Sequence, residues 1–437
     1  MTDDASSALL TDRYELTMLQ GALQSGAANR RTVFEMFARR LPENRGYGVV
    51  AGTDRFLDAL ERFRFDTAAL DYLADAGGID DATLKWLADY RFSGDIWGYG
   101  EGDCYFPGSP ILVVEGTFAE SVLLETIALS VYNHDSAIAA AASRMALAAE
   151  NRPMIEMGSR RTHEMSAVAA ARAAYLGGFA STSNLEAGRR FGVPTAGTSA
   201  HAFVLVHDTE REAFDAQLRA LGIDTTLLVD TFDVEEAVRT GVELGGAALG
   251  GVRIDSGDLS RSAFRVRELL DGLGAADTRI VITGDLDEHA IQALAVAPVD
   301  GYGVGTALVT GSGAPTASLV YKLVARSAQG SGDELEPVAK RSVGKPSKGG
   351  RKWGSRRLDE SGVATAELVG EQEPQEGPRL RPLLRRLVTG GEVVGREPLE
   401  AARERHARAV AELPESAYRM NRAEPVIPTH FGHEAGD

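Results

Sequence analysis

Residues 226–305 decide the fold. They run Thr226-Leu-Leu-Val-Asp230, a helical stretch over 233–243, an apolar run over 249–255 ending Val252-Arg-Ile-Asp255, and a second helical stretch over 259–273. Then come Arg279-Ile-Val-Ile-Thr283, a third helical stretch over 287–295, and Gly301-Tyr-Gly-Val-Gly305. Each apolar run is short enough to be a buried strand, and each intervening stretch is long enough to be a helix. Strands that alternate with helices predict a parallel sheet. Toward the N-terminus the alternation continues, with strands expected at 111–115, 153–157 and 177–181 and helices at 118–148, 163–175 and 184–190. Seven or so such units over roughly 210 residues fit a barrel better than an open sheet, and polar and glycine residues gather just after the strands, where a barrel keeps its active site.

The flanks read differently. A helix is expected over 8–25, an alternating strand from Arg31, helices within 53–90, and short strands and turns over 92–110. Residues 327–337 and 371–378 read as surface loops, 383–388 as a strand, 397–412 as a last helix, and the final dozen residues as a poorly ordered tail. The expected organisation is an N-terminal α+β domain (1–110), an α/β barrel carrying the active site (111–326), and C-terminal segments (327–437) that pack back on both.

Composition excludes several classes of function. The 437 residues carry 46 Lys and Arg against 63 Asp and Glu, a formal charge of −17. That balance disfavours a nucleic-acid partner, because phosphate-backbone binding needs a basic surface. A small anion held by a local cationic cluster is still allowed. One cysteine, Cys104, permits neither an internal disulfide nor a multi-cysteine zinc site. The polar, acidic start is unlike a signal peptide, and no apolar run approaches the ~18 residues that span a bilayer. A soluble cytoplasmic protein is expected.

Five constellations could carry chemistry. Gly197-Thr198-Ser199-Ala200-His201 offers close backbone approach to an anion and a candidate nucleophile or acid/base in His201; the plainer reading of His201 is a helix-start histidine. Arg253 and Asp255 alternate at a strand end, so both face one side, either as a ligand site or as a buried ion pair. Gly284-Asp285 follows the next strand; Asp285 could meet ribose hydroxyls or a magnesium ion. Gly303-Val-Gly305-Thr306 suits a phosphate cradled by backbone N–H groups. Arg160-Arg161 and the run Lys345, Lys348, Arg351, Lys352 are cationic clusters that read either as solvated loops or as clamps for a polyanion. Glu115 and Glu156 close expected strands, where an isomerase or aldolase barrel would want a base, but no lysine lies in the expected strands up to residue 305.

Taken in order, these segments resemble the nicotinate phosphoribosyltransferase family. The resemblance runs from Leu9-Leu10-Thr-Asp-Arg-Tyr14-Glu-Leu-Thr-Met through Gly158-Ser-Arg-Arg161, Gly178-Phe-Ala-Ser-Thr-Ser-Asn184-Leu-Glu-Ala-Gly188 and Gly197-Thr-Ser-Ala-His201. It continues through Val252-Arg-Ile-Asp-Ser-Gly-Asp-Leu259 and Gly303-Val-Gly-Thr306 to Val320-Tyr-Lys-Leu-Val324. It implies an enzyme that joins nicotinate to 5-phosphoribosyl-1-pyrophosphate, giving nicotinate mononucleotide and pyrophosphate, with ATP as co-substrate and magnesium as cofactor. His201 matches a histidine phosphorylated in turnover, and Asp255 a catalytic carboxylate in the ribose and metal region, with Gly284 and Asp285. Thr198 and Arg253 match nicotinate contacts. Gly305 and Thr306 match phosphate-binding positions, and Arg161 lies in a matching substrate-binding segment. Tyr14 matches an aromatic that stacks on the pyridine, often from the other subunit of a homodimer. The implied fold is an irregular (β/α) barrel of type II phosphoribosyltransferase kind. Phosphoribosyltransferases for nicotinamide or quinolinate, and a non-catalytic nucleotide-binding barrel, are the alternatives.

Overall fold

The computed structural model describes residues 5–328, 334–340, 348–420 and 424–432. The chain divides into two compact units, Met1–Ala137 with Thr316–Asp437 and Ile138–Pro315.

The first unit is built on a seven-stranded sheet in which every pairing is antiparallel. Its spatial order is Leu335–Pro337, Leu319–Ser327, Arg31–Ala38, Leu112–Thr117, Asp95–Tyr99, Leu384–Thr389, Glu392–Val393. Its core joins Phe34, Met36, Leu112 and Val114 of the sheet to Leu16 and Leu19 of helix Arg13–Ser25 and to Phe56, Leu57 and Leu60 of helix Thr53–Glu61. A second sheet orders Leu380–Pro382, Trp353–Leu358, Ala364–Gly370 and Thr429–Phe431.

Two expected boundaries move. The run at 111–115, read as the first barrel strand, is Leu112–Thr117, which pairs antiparallel with both Arg31–Ala38 and Asp95–Tyr99. A central antiparallel strand covered on both faces is as continuously apolar as a parallel one, so the run alone does not separate the two. The boundary therefore lies at 137/138, inside helix Glu125–Ala149, and not near 110. The second lies at 315/316 and not at 326/327, because Leu319–Ser327 is a neighbour of Arg31–Ala38. The tail is also partly ordered: Thr429–Phe431 pairs parallel with Ala364–Gly370, while 433–437 lie outside the described residues.

The second unit carries the predicted parallel sheet. Six strands run in the order Ser181–Thr182, Met154–Glu156, Gly301–Val304, Arg279–Ile282, Gly251–Ile254, Thr226–Leu228. Ser181–Thr182 and Thr226–Leu228 end the series, and Thr182 is bridged in parallel to Thr195. The result is a half-barrel of six strands, where seven units had been expected to form a barrel. Because the strands are parallel, all their C-terminal ends lie along one rim. Val252, Ile254, Ile280, Ile282, Tyr302 and Val304 are fully buried, as strands covered on both faces require. Helices Glu164–Leu176, Leu185–Phe191, Val234–Gly245, Leu259–Gly272 and Glu288–Ala293 fall where periodicity places them. Helix Glu210–Leu221 was not foreseen. Only Ala213, Phe214 and Gln217 of it are buried, too sparse a stripe to show in the sequence.

Candidate active site

The rim is assembled from the residues that follow each strand. After Thr226–Leu228 the chain presents Asp230 and Thr231. The Asp230 side chain is 3% exposed, and its Oδ2 accepts the Asp255 amide at 3.0 Å and the Ser256 hydroxyl at 2.6 Å. Asp230 thus ties the ends of two neighbouring strands. Its Oδ1 is buried and makes no hydrogen bond. His201 Nε2 lies 3.8 Å from that oxygen, and His201 Nδ1 lies 3.1 Å from the Thr231 hydroxyl. The His201 ring remains 40% exposed, open to a reactant on its other side.

Arg253 leaves strand Gly251–Ile254 toward the loop that precedes His201. Its Nη1 donates to the Thr198 hydroxyl at 2.6 Å, and its Nη2 to the Ser199 carbonyl at 3.1 Å. Its Nε is buried without a partner. Burial pulls the guanidinium pKa down and the nearby Arg160 adds to that, while Asp255 and Asp230 oppose it. A half-buried cation with a second cation nearby and an unused donor is prepared for an anion.

Asp255 accepts from the Thr283 hydroxyl at the end of the adjacent strand. Gly284 follows at φ +103°, and a Cβ there would meet the Asp255 carbonyl at 2.3 Å. The glycine is needed for that close approach. Asp285 also has positive φ, at 20°, so this turn is held away from relaxed geometry. Past strand Gly301–Val304, Gly305 caps the short helix Thr306–Val309. A Cβ on Gly305 would lie 3.9 Å from Arg161 Cγ, which places Arg161 beside the glycine turn.

Thr198, His201, Arg253, Asp255 and Gly284 are therefore linked through shared hydrogen bonds and contacts, and Arg161, Gly305 and Thr306 gather further along the same rim. Tyr14 belongs to the first unit, where it is 46% exposed. Two contributors were missed. Asp230 ends an expected strand as Asp255 does, and that parallel could have singled it out; Thr231 carried no signal beyond adjacency.

Among the described residues no three His, Cys, Asp or Glu side chains gather to cage a metal. Magnesium does not need such a cage, since it is commonly held by one or two carboxylates together with substrate phosphates. Asp255 and Asp285 are donors of that kind.

The cationic run at 345–352 divides. Lys352 Nζ lies 2.7 Å from Glu35 Oε2, and Arg351 pairs with Glu115 at 3.1 Å while its guanidinium stacks 3.4 Å from the Trp353 ring centroid. These two cations are engaged within the first unit. Lys348 Nζ sits 3.5 Å from the centre of the Phe431 ring, and Lys345 lies outside the described residues.

The chain is similar to several known proteins. Residues 9–133 match the family model described as the nicotinate phosphoribosyltransferase (NAPRTase) N-terminal domain. The chain is 55% identical over 436 residues to nicotinate phosphoribosyltransferase pncB1 of Mycobacterium tuberculosis, covering 96% of this chain and 94% of that one. It is 38% identical over 331 residues to nicotinate phosphoribosyltransferase of Bacillus subtilis, covering 74% and 67%. The fold matches the crystal structure of human nicotinic acid phosphoribosyltransferase with a TM-score of 0.81 at 26% identity, over 97% of each chain. Among the described residues no helix is long and apolar enough to cross a membrane.

Proposed function

The chain belongs to the nicotinate phosphoribosyltransferase family, and from that membership and the rim just described we propose how it joins nicotinate to 5-phosphoribosyl-1-pyrophosphate to form nicotinate mononucleotide and pyrophosphate. The observation that carries the reading is Arg253, half-buried, hydrogen-bonded to Thr198 and retaining an unpartnered buried Nε. Nicotinate presents a carboxylate, and a guanidinium is the side chain best shaped to receive it. Nicotinamide has no charge to offer, and its pocket would gain little from this arginine. Quinolinate has two carboxylates and would engage Arg160 as well as Arg253, so competition between the two acids in the assay separates them.

At the other reactant, the bond from C1 of the ribose to pyrophosphate breaks as the pyridine nitrogen attacks. No protein nucleophile is required there. Positive charge develops on the ribose ring and negative charge on the leaving pyrophosphate, so the site's task is to hold both ends and neutralise the second. Gly305 and the start of helix Thr306–Val309 offer backbone N–H groups to a phosphate, with Arg161 beside them. Asp255 and Asp285 would hold magnesium beside the ribose. The ion, when bound, neutralises charge on the departing pyrophosphate.

His201 is the proposed acceptor of the γ-phosphate of ATP. With the N–H on Nε2, 3.8 Å from Asp230, the attacking atom is Nδ1: the Thr231 hydroxyl turns away from it, the bond from Nδ1 to the γ-phosphorus forms as the bond from that phosphorus to the ADP oxygen breaks, and the Nε2 proton passes to Asp230. The phosphate then acts as a local charge switch on the loops of the rim. Tyr14 of the partner subunit in a homodimer is the proposed stacking partner of the pyridine. The exposed Leu9, Leu10, Tyr14 and Met18 support such an interface, and a sedimentation mass of a single chain would contradict it.

Arg253→Gln tests the reading. Loss of a charge-assisted hydrogen bond is expected to raise the KM for nicotinate roughly 10- to 100-fold and to narrow the preference over nicotinamide. An unchanged preference in steady-state kinetics would assign the carboxylate to another residue.

A further inference from the structure

Glu156 ends strand Met154–Glu156 with no solvent exposure. Nothing in the proposed reaction uses it, yet a buried carboxylate is costly unless its bonds serve a purpose. The Gly158 amide donates to one of its oxygens and the Thr182 hydroxyl to the other. The Thr182 oxygen in turn accepts the Asn184 amide at 2.9 Å, and Asn184 Nδ2 donates to the Ser159 hydroxyl at 3.0 Å. The hydrogen bonds therefore return to the turn where they began. This closed ring joins the turn at 157–161 to the turn at 182–184, across the parallel pair Met154–Glu156 and Ser181–Thr182. A further bond, from the Ser183 amide to the Glu156 carbonyl at 2.8 Å, reinforces the same junction.

The first of those turns carries the two arginines. Arg161 donates its amide to the Gly158 carbonyl at 2.8 Å, and its side chain passes beside Gly305. We propose that Glu156 is a positioning residue for the phosphoribosyl donor: by holding the Gly158 amide and the Thr182 hydroxyl, it sets the angle at which Arg161 meets the phosphates cradled at Gly305 and Thr306. This rests on the reading of Arg161, Gly305 and Thr306 as donor-binding groups. A leucine at 156 would fill the same volume and leave the turn without its anchor. Burial pushes the Glu156 carboxyl up from the ordinary range, while the Thr182 and Gly158 bonds pull it back, in keeping with a group retained for its bonds.

The test compares Glu156→Ala with Glu156→Gln. Glutamine can still accept from Gly158 and donate to Thr182, so it preserves the link. In Glu156→Ala the KM for the phosphoribosyl donor should rise about tenfold or more while kcat stays within about threefold, and Glu156→Gln should restore the KM. Hydrogen exchange of the amides over 157–161 should quicken in the alanine variant and recover in the glutamine one. If Glu156→Ala does not fold, Thr182→Val takes its place, with Thr182→Ser as the rescue. An unchanged donor KM beside normal wild-type turnover overturns the role of Glu156 alone. Absence of wild-type turnover overturns the reading of the site.

Discussion

Around His201 a hydroxyl and a carboxylate divide the work. Thr231 lies at one ring nitrogen and Asp230 at the other, both in the turn that follows strand Thr226–Leu228, and the ring remains 40% exposed. A histidine held in this way suits a reversible covalent step better than a role in the bond change at C1, which needs no protein nucleophile. His201→Ala should therefore abolish stimulation by ATP and leave slow, ATP-independent formation of nicotinate mononucleotide. ATP stimulation that survives the substitution, measured as initial rates with and without the nucleotide, would remove His201 from this role. Asp230 and Asp255 occupy equivalent strand-end positions, one supporting the histidine and the other accepting from Thr283. The same residue type serves two purposes because the neighbouring strand differs.

Among the elements, the last helix shows how a docked segment depends on proton balance. Helix Leu399–Ala411 lies so close to Gly102 that a Cβ there would meet the Ala402 carbonyl at 2.1 Å. Buried His406 places its Nδ1 3.1 Å from the Gly102 carbonyl. Burial lowers the imidazole pKa from 6.5 to about 4. The folded state thus binds its proton less readily than the unfolded chain. The stability this represents is whole above pH 6.5 and is lost as pH falls toward about 4. The loss should approach about 3 kcal/mol across that window, and His406→Gln should flatten it. Melting temperatures that fall equally in both proteins between pH 7 and pH 4 would contradict the assignment.

The elements also show what the sequence could and could not reveal. Strands near 154, 226, 251, 279 and 301 were legible because short apolar runs alternate with amphipathic stretches, two of whose helices open on side-chain caps at Asp258 and Asp287. The strand at 112–117 was placed in the wrong sheet, since hydrophobicity reports burial on both faces and not the direction of the neighbours. Helix Glu210–Leu221 escaped because so little of it is buried. Of the site, residues at strand ends could be read from glycine and charge. Asp230, and the anchoring of Arg351 and Lys352 by Glu115 and Glu35, depend on pairings between distant segments that no local pattern encodes.

At the scale of the whole molecule, a chain of net charge −17 still brings three arginines to the rim of the parallel sheet. Arg253, Arg160 and Arg161 lie among glycine turns and strand-end carboxylates, so small polyanions can be held locally by a protein whose total charge repels them. One chemical outcome is expected above all. Pure protein incubated with nicotinate, 5-phosphoribosyl-1-pyrophosphate and magnesium should form nicotinate mononucleotide and pyrophosphate, detected by mass, and faster when ATP is present. Failure to form the mononucleotide from nicotinate, or equal product from nicotinamide under the same conditions, would contradict it.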